Sequence, residues 1–129
     1  MPAGIDPSRR SRRGADAPEP ECESCGLGPV PATLQALDRA KWNVADVDRV
    51  EINEAYAAIP IVVLRELGLP GEIVNVEGGA VAHGHPIEAT GAVLITRLVH
   101  SMKRDGLKRG LVTLCIGGGQ GIAIAIEIL

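Results

Sequence analysis

The feature that most constrains the fold of this chain is a glycine-rich bend between two apolar runs near the C-terminus. The runs span residues 111–116 and 122–129, and four of the five residues between them are glycine. Runs of this length are typical of buried strands, and glycine adopts the backbone angles that tight turns require. The sequence therefore predicts a terminal β-hairpin whose five-residue connection is 117–121.

Length and composition favour one small domain with an aliphatic core. The chain has 129 residues, of which 46% are hydrophobic and only 2% are aromatic, so Val, Ile, Leu and Ala must fill the interior. The formal net charge is −3, which argues against nucleic acid as a partner. No apolar stretch reaches about 20 residues without a charge or a breaker, so the sequence predicts no membrane-spanning helix.

The first 27 residues differ in composition from the rest. They are rich in Pro, Arg, Ser, Gly and acids, and they include a Cys22-x-x-Cys25 pair flanked by glutamates. Such a segment has too little apolar surface to offset the entropy of ordering, so residues 1–27 are expected to be a disordered or non-homologous leader before a domain at 28–129. The acids argue against a transit peptide, and the cysteine pair is interpreted as incidental. Three cysteines cannot all pair with one another, which favours a reducing compartment, the cytoplasm.

From residue 28 onward, apolar periodicity predicts helices and strands in alternation. This order favours an α/β domain in which helical crossovers join parallel strands and the last two strands form the antiparallel hairpin, giving a mixed sheet. The predicted elements are, in chain order, a helix opened by Pro29 and Pro31, a turn capped by Asn43, a strand at 50–52, a helix at 55–67, a strand at 73–76, a helix from Pro86 to about Arg104, and the two hairpin strands.

Two of these helices carry predictions about packing. Val30, Leu34 and Leu37 share one face of the first helix, and this face is expected to be buried. The helix after Pro86 begins with small and apolar residues on every side. Its first half is therefore expected to form a central helix that is buried all round.

Cys115 ends the first hairpin strand, directly before the glycines. A thiol can move protons or attack carbonyls, and bare backbone amides beside it can stabilise a developing oxyanion. A dinucleotide-binding loop is excluded because the third glycine of that motif would fall at Ile122, and because a strand rather than a helix follows. The glycines therefore indicate either a plain hairpin or the close approach of a ligand or another backbone.

Two histidines, His83 and His85, belong to a second glycine-rich segment. With His100 they would form only an incomplete metal site, because no carboxylate or cysteine nearby completes the set, so no metal is predicted. His85 directly precedes Pro86 at the predicted helix start, where the helix dipole favours a ring that accepts a proton or donates a hydrogen bond. A catalytic histidine and an ordinary turn histidine at the surface are both compatible with this position.

Asn53 lies between the predicted strand at 50–52 and the predicted helix at 55–67. Its simplest interpretation is a helix N-cap. Its amide is also suited to orient a water molecule or a catalytic ring. Considered alone, this position does not decide between the two roles.

Taken in order, these segments resemble the C-terminal part of the thiolase family, the acyl-CoA C-acyltransferases. Ordered motifs at matching intervals are far more specific than any single motif. The resemblance covers the chain from about residue 26 to its end and implies a thiolase-like C-terminal domain. The residues that carry it are Gly28-Pro29-Val30-Pro31-Ala32, Asn53-Glu54-Ala55-Tyr56-Ala57, the segment from Gly78-Gly79-Ala80 through Gly84-His85-Pro86 to Gly91, and Cys115-Ile116-Gly117-Gly118-Gly119-Gln120-Gly121.

The resemblance implies roles for particular residues in the reversible Claisen condensation of acyl-CoA thioesters, most like that of an acetyl-CoA acetyltransferase. His85 would activate a nucleophilic cysteine and contribute to one oxyanion hole, in which Asn53 would hold a water. Cys115 would be the acid/base that moves the α-proton, and the N–H of Gly117 would contribute to the second oxyanion hole. Coenzyme A thioesters would be substrates, with no cofactor and no metal. The residues assigned to substrate binding are Gly84 and Gly118.

Two departures from the family pattern bear on activity. The family's nucleophilic cysteine belongs to an N-terminal domain, and neither Cys22 nor Cys25 is taken to replace it. The chain alone is therefore expected to be inactive, with a homo-oligomer or a complementary thiolase N-terminal domain as its partner. Glu88 stands where the family has glycine and is expected to crowd His85. The alternative function is a non-catalytic module for dimerisation or for binding acyl-CoA or lipid.

Overall fold

The computed structural model describes residues 27–129, so the predictions for Cys22, Cys25 and almost all of the leader lie outside the described residues. Residues 27–129 form four helices, three strands and two short 3-10 turns. The helices are α1 (Pro29–Ala40), α2 (Ala58–Leu67), α3 (Ala80–His83) and α4 (Thr90–Asp105); the strands are β1 (Arg49–Ile52), β2 (Arg109–Gly117) and β3 (Gln120–Glu127); the 3-10 turns are Val44–Asp46 and Gly71–Ile73.

The three strands form one mixed sheet in the order β1–β2–β3. β1 pairs in parallel with β2 along its whole length, from Arg49 to Ile52. β2 and β3 pair antiparallel, with Cys115 opposite Gly121. Parallel neighbours need a crossover connection, which α2, α3 and α4 supply. The predicted α/β class, mixed sheet and terminal hairpin are confirmed.

Helices cover both faces of this sheet. α1 and α2 pack on one face together with the larger hydrophobic cluster, and α4 packs on the other face with a smaller one. Side chains alternate along β2, so Leu111 belongs to the first cluster and Val112 to the second. The buried residues of the larger cluster are Leu37, Val47, Val50, Ile52, Ile59, Val63, Leu67, Leu69 and Leu111, and those of the smaller cluster are Leu94, Leu98, Met102 and Val112.

α1 begins at Pro29 as predicted, but its buried face differs from the prediction. The helix buries Pro29, Thr33 and Leu37, whereas Leu34 is 51% exposed. The buried positions recur every four residues, at 29, 33 and 37, so the buried face passes one position before Leu34. The predicted turn after α1 is present, and the backbone N–H of Asn43 donates to the carboxylate of Asp46 at 2.7 Å.

The predicted strand at 73–76 does not form. Within it only Val74 makes an isolated parallel bridge, to Val50. The reason is Asn75, whose φ of 46° turns the backbone out of the extended conformation. Its side-chain amide pairs instead with Ile52, accepting from the backbone N–H at 2.8 Å and donating to the carbonyl at 2.9 Å. A side chain therefore takes the place beside β1 that a further strand residue would occupy.

Two helices begin later than predicted. α2 begins at Ala58 rather than at residue 55, and α4 begins at Thr90 rather than at Pro86. The carbonyl of Pro86 accepts hydrogen bonds from the N–H groups of both Ala89 and Thr90, each at 2.8 Å. Residues 86–89 therefore form a tight turn ahead of the helix.

α4 buries one face against the sheet through Leu94, Leu98 and Met102. On its other side Ala92 and Ile95 are exposed. Within the described residues, the first half of α4 is therefore buried on one side only. The physical reason is that the sheet covers only one face of the helix.

The hairpin connection is shorter than the five residues predicted. Strand pairing continues to Gly117 and resumes at Gln120, which leaves Gly118 and Gly119 as the turn. The φ angles of Gly117, Gly118 and Gly119 are 94°, 59° and 74°, and the register shifts between Cys115 and Gly117. The three consecutive glycines are thus required by a bulge and a tight turn.

The contact between α1 and β3 depends on Gly121. A Cβ built there would overlap the backbone of Gly28 and Pro29, so the two segments touch without a side chain between them. We expect Gly121→Ala to destabilise the chain by about 1–3 kcal/mol, because making room would separate α1 from the sheet. Urea unfolding followed by the fluorescence of Trp42, the only tryptophan, measures the change.

Gly91→Ala is the matched control for this substitution. Apart from its chain neighbours and the backbone of its own helix, no atom lies within 4 Å of a Cβ built at Gly91, in the first turn of α4. Alanine is expected there to be neutral or to stabilise by up to about 1 kcal/mol. Equal losses of stability in the two variants would contradict the importance of the contact at Gly121.

Candidate active site

A pocket of about 330 Å³ lies at the carboxyl ends of β1 and β2. Asn53 reaches it from the end of β1, Cys115 from the end of β2, and His85 from the loop between α3 and α4. Segments that follow neighbouring parallel strands meet at this edge of a sheet. The fold thus brings three predicted site residues, far apart in sequence, to one pocket. Its other lining residues are Ala55, Tyr56, Ile87, Thr90, Gly91, Leu114, Ile116 and Gly117.

The ring of His85 is held at both nitrogens. Nδ1 lies 2.7 Å from Thr90 Oγ1, and that hydroxyl donates its single proton to the carbonyl of Pro86 at 2.9 Å. Nδ1–H must therefore be the donor to Thr90, which leaves Nε2 without a proton. Nε2 accepts from Asn53 Nδ2 at 3.2 Å. The hydrogen-bond network thus assigns the Nδ1–H tautomer, with the lone pair of Nε2 on the side of Asn53.

Asn53 is 1% exposed, and its position is fixed by a backbone hydrogen bond to the carbonyl of Thr113 at 3.0 Å. The N-cap interpretation is wrong, because α2 begins only at Ala58. The side-chain Oδ1 is buried and has no hydrogen-bond partner among the described residues. An unpaired buried acceptor is costly, so this oxygen suits a bound donor such as a water molecule.

Cys115 is half-buried and contacts the larger hydrophobic cluster, while it also lines the pocket. Gly117, two residues further along β2, lines the same pocket with an exposed backbone at φ 94°. A thiol and a side-chain-free peptide group therefore border one space. This combination is suited to proton transfer next to a developing negative charge.

The remaining predicted residues do not line this pocket. Gly84 directly precedes His85, with φ 91°, and Gly118 lies in the hairpin turn. Glu88 is exposed and is not among the lining residues, so the structure does not show it crowding the ring. Their functional roles stay predictions.

His83 and His100 are exposed and do not line the pocket. Across residues 27–129, no three His, Cys, Asp or Glu residues lie close enough together to hold a metal ion. The same part of the chain contains no helix with the length and apolar content to cross a membrane.

Sequence analysis did not identify Thr90. Its hydroxyl is buried and fixes the His85 ring, as described above. A hydroxyl residue five positions after His85 is visible in the sequence. A helix that begins at Pro86 would place Thr90 inside the helix, whereas Thr90 is its first residue.

A buried ion pair joins α4 to β1 two residues before Asn53. Glu51 on β1 is 1% exposed, and its Oε2 accepts from Arg97 Nε at 3.3 Å. Arg97 Nη2 also donates to the carbonyl of Gly78. Burial raises the pKa of the Glu51 carboxyl, and the facing guanidinium offsets only part of that rise.

This raised pKa predicts a pH dependence. A carboxyl with a raised pKa in the folded chain contributes stability that is present below its unfolded pKa and lost as pH rises through the folded value. We expect the stability of Glu51→Gln relative to the unsubstituted chain to increase as pH rises from about 4 towards 7, because only the unsubstituted chain then acquires a charged carboxylate at the buried position 51. Urea unfolding at each pH measures the difference.

Glu66→Gln, at an exposed position of α2, is the control and is expected to show a nearly constant difference over the same range. A difference for Glu51→Gln that shrinks as pH rises would contradict the prediction.

Comparison with known proteins adds a family context to this geometry. The family model described as "Thiolase, C-terminal domain" matches residues 10–128. Among curated proteins, an acetyl-CoA acetyltransferase of Chromobacterium violaceum is 54% identical over 107 residues, which is 83% of this chain and 27% of that protein. An acetyl-CoA acetyltransferase of Escherichia coli is 48% identical over 129 residues, which is 100% of this chain and 32% of that protein.

Solved structures give a similar result. The crystal structure of the Bacillus anthracis acetyl-CoA acetyltransferase superposes with a TM-score of 0.79 at 48% identity, covering 81% of this chain and 27% of that chain. The chain therefore spans about a quarter to a third of the length of the relatives that it matches.

Proposed function

Because this chain belongs to the thiolase family, of which it carries the C-terminal domain, we propose that it supplies one half of an active site for reversible Claisen condensation and thiolysis of acyl-CoA thioesters. The observation that carries the proposal is the single pocket lined by Asn53, His85 and Cys115, with the lone pair of His85 Nε2 beside Asn53. The other half is a thiolase N-terminal domain that provides the nucleophilic cysteine.

In this proposal His85 acts in the acyl-transfer step. Nε2 takes the proton of the partner domain's nucleophilic thiol, and the resulting thiolate attacks the thioester carbonyl. Once protonated, Nε2 no longer accepts from Asn53 and donates to the developing oxyanion instead. A water held by the unpaired Oδ1 of Asn53 supplies a second hydrogen bond to that oxyanion. Collapse of the tetrahedral intermediate breaks the bond between the acyl carbon and the sulfur of coenzyme A, and the departing thiolate takes the proton back from Nε2. Thr90 keeps Nδ1 protonated and so leaves Nε2 as the basic nitrogen.

Cys115 acts in the carbon–carbon bond step. In the synthetic direction its thiolate removes an α-proton from acyl-CoA, and the carbanion attacks the acyl group on the nucleophilic cysteine and expels that cysteine as a thiolate. In thiolysis Cys115 returns the proton to the departing carbanion. The peptide N–H of Gly117 stabilises the enolate oxygen, while Gly84 and Gly118 lie along the bound thioester.

The proposal needs no cofactor and no metal, because the thiols, the imidazole and the peptide groups carry every proton and charge in these steps. We further propose that this chain assembles into an oligomer, because the partner domain must be bound for the pocket to act. We also propose a cytoplasmic location. A polypeptide of these 129 residues alone is expected to form no acyl-enzyme and therefore to be inactive.

Co-expression with the N-terminal remainder of the Chromobacterium violaceum relative tests the proposal. Intact-mass measurement after incubation with acetoacetyl-CoA is expected to find the N-terminal domain acetylated when this chain is present. Acetylation is expected to be absent when this chain is left out. Two folded, associated domains that never form an acyl-enzyme would contradict the proposal.

A non-catalytic module for dimerisation or for binding acyl-CoA or lipid is the second candidate. The observation that favours it is a set of large apolar side chains on the sheet, the pocket rim and the outer side of α4 that are exposed in this chain. Concentration-dependent self-association, with acyl-CoA binding but no acyl-enzyme in any complex, would favour this module. These side chains are Tyr56, Ile87, Ile95, Ile116, Ile122 and Ile124.

A further inference from the structure

The loop that carries His85 has almost no apolar anchor. Residues 81–89 are all exposed, and buried residues flank this stretch only at Ala80 and Thr90. A segment without buried side chains is not positioned by the hydrophobic effect. Its polar contacts therefore decide where the His85 ring lies.

Glu54 makes the contact at the start of this loop. Its Oε2 accepts from the backbone N–H of Val81 at 2.8 Å, and its Oε1 accepts from Asn75 Nδ2 at 3.1 Å. Asn75 is itself bonded to both backbone groups of Ile52 at the end of β1. The half-buried carboxylate thus ties the first turn of α3 to β1, from a position that does not line the pocket.

The close packing of Gly79 against the Glu54 carboxyl group is a second observation that links this loop to Glu54. A Cβ built at Gly79 would overlap the carboxyl group of Glu54. The backbone of Gly79, with φ −121° and ψ −162°, is extended and open to any residue. A side chain at position 79 would therefore displace the Glu54 carboxyl group, although the torsion angles would admit one.

We propose that Glu54 is a positioning residue for His85. Its carboxylate holds the start of α3, while the adjacent Asn53 contacts the His85 ring beyond the end of α3, at 3.2 Å. Two consecutive residues thereby fix both ends of the segment 81–85. The catalytic consequence rests on the proposed function, whereas the structural consequence is measurable in this chain alone.

The structural test uses the isolated chain labelled with ¹⁵N and ¹³C. A scalar coupling across the hydrogen bond between the Val81 amide nitrogen and the Glu54 carboxyl carbon is expected in the unsubstituted protein. Amide exchange of Val81 is expected to accelerate about tenfold or more in Glu54→Gln. The carboxylate accepts from both the Val81 N–H and Asn75 Nδ2, whereas a glutamine offers one acceptor oxygen and turns an NH₂ group towards one of these donors. Glu66→Gln, an exposed acid on α2, is expected to leave that exchange unchanged.

Absence of the coupling would overturn the proposal, even if Glu54→Gln failed to fold. So would Val81 exchange that stays within about twofold in a folded Glu54→Gln.

In the reconstituted two-domain enzyme, Glu54→Gln is expected to lower kcat about tenfold or more while KM stays within about twofold, because a displaced ring harms the reaction more than binding. An active unsubstituted complex with an equal kcat in Glu54→Gln would overturn the positioning role. An inactive unsubstituted complex would contradict the proposed function and leave the coupling as the test of the loop.

Discussion

Cys115→Ala is expected to lower thiolysis of acetoacetyl-CoA and condensation of acetyl-CoA by about 10²–10⁴-fold in a complex of this chain with a thiolase N-terminal domain. This is the range by which a positioned general acid or base accelerates proton transfer. The variant keeps the peptide group of Gly117 and the ring of His85, so thioester binding is expected to persist. Initial rates at saturating substrate measure the loss.

The step that fails distinguishes this role from simple damage to the pocket. Acyl transfer from acetyl-CoA to the partner domain's cysteine does not need Cys115, so Cys115→Ala is expected to form the acyl-enzyme and then stall. Cys22→Ala and Cys25→Ala are the matched controls and are expected to retain full rates. A Cys115→Ala complex within about threefold of the normal rate would remove Cys115 from the mechanism.

His85→Ala is expected to cause a loss of similar size, about 10²–10⁴-fold, but at the earlier step. Without the lone pair of Nε2, the partner domain's thiol has no base beside it, and the thioester oxygen loses one donor. Intact-mass measurement at short times is expected to show little acyl-enzyme with any thioester. Cys115→Ala and His85→Ala thus separate the two half-reactions.

His83→Ala and His100→Ala are the controls for this loss. Both side chains are exposed and neither lines the pocket, so each variant is expected to keep rates close to normal. A rapid acyl-enzyme burst in His85→Ala would contradict the assignment of the base. A loss in His83→Ala as large as that in His85→Ala would point to the whole loop rather than to one ring.

The hairpin and the parallel crossover were predictable because, in these segments, the pattern of apolar residues and glycines favours the same structure that the tertiary fold adopts. Apolar runs on both sides of consecutive glycines favour paired strands, and the helices between β1 and β2 leave a parallel crossover as the connection. The strand predicted at 73–76 shows where such signals fail. Apolar composition favours a strand, yet Asn75 at φ 46° places its side chain where the backbone of a strand would lie.

The helix starts were wrong for a related reason. A proline fits the first turn of a helix, but the carbonyl of Pro86 is taken up by a tight turn that reaches Thr90. That turn brings the Thr90 hydroxyl to His85 Nδ1, and no periodicity in the sequence encodes this contact. The hydrophobicity of α4 alone does not reveal which of its faces packs against the sheet, and in the described part of the chain only the face with Leu94, Leu98 and Met102 does.

The candidate site was only partly predictable from residue types. A cysteine before consecutive glycines, a turn histidine and an asparagine after a strand each had a simpler interpretation, and only the resemblance to thiolases linked them. The structure adds that Asn53 and His85 are in contact and that both share a pocket with Cys115. Glu54 and Thr90 were not predicted because their roles depend on contacts with backbone and side-chain atoms that only the fold brings together.

The most direct test of the central claim is the thiolysis rate of acetoacetyl-CoA measured for this chain alone, for a thiolase N-terminal domain alone and for their complex. The proposed division of the active site predicts no turnover by either part and turnover by the complex that Cys115→Ala removes. Turnover by this chain alone that is lost in Cys115→Ala, or a stable, folded complex without any turnover, would contradict it.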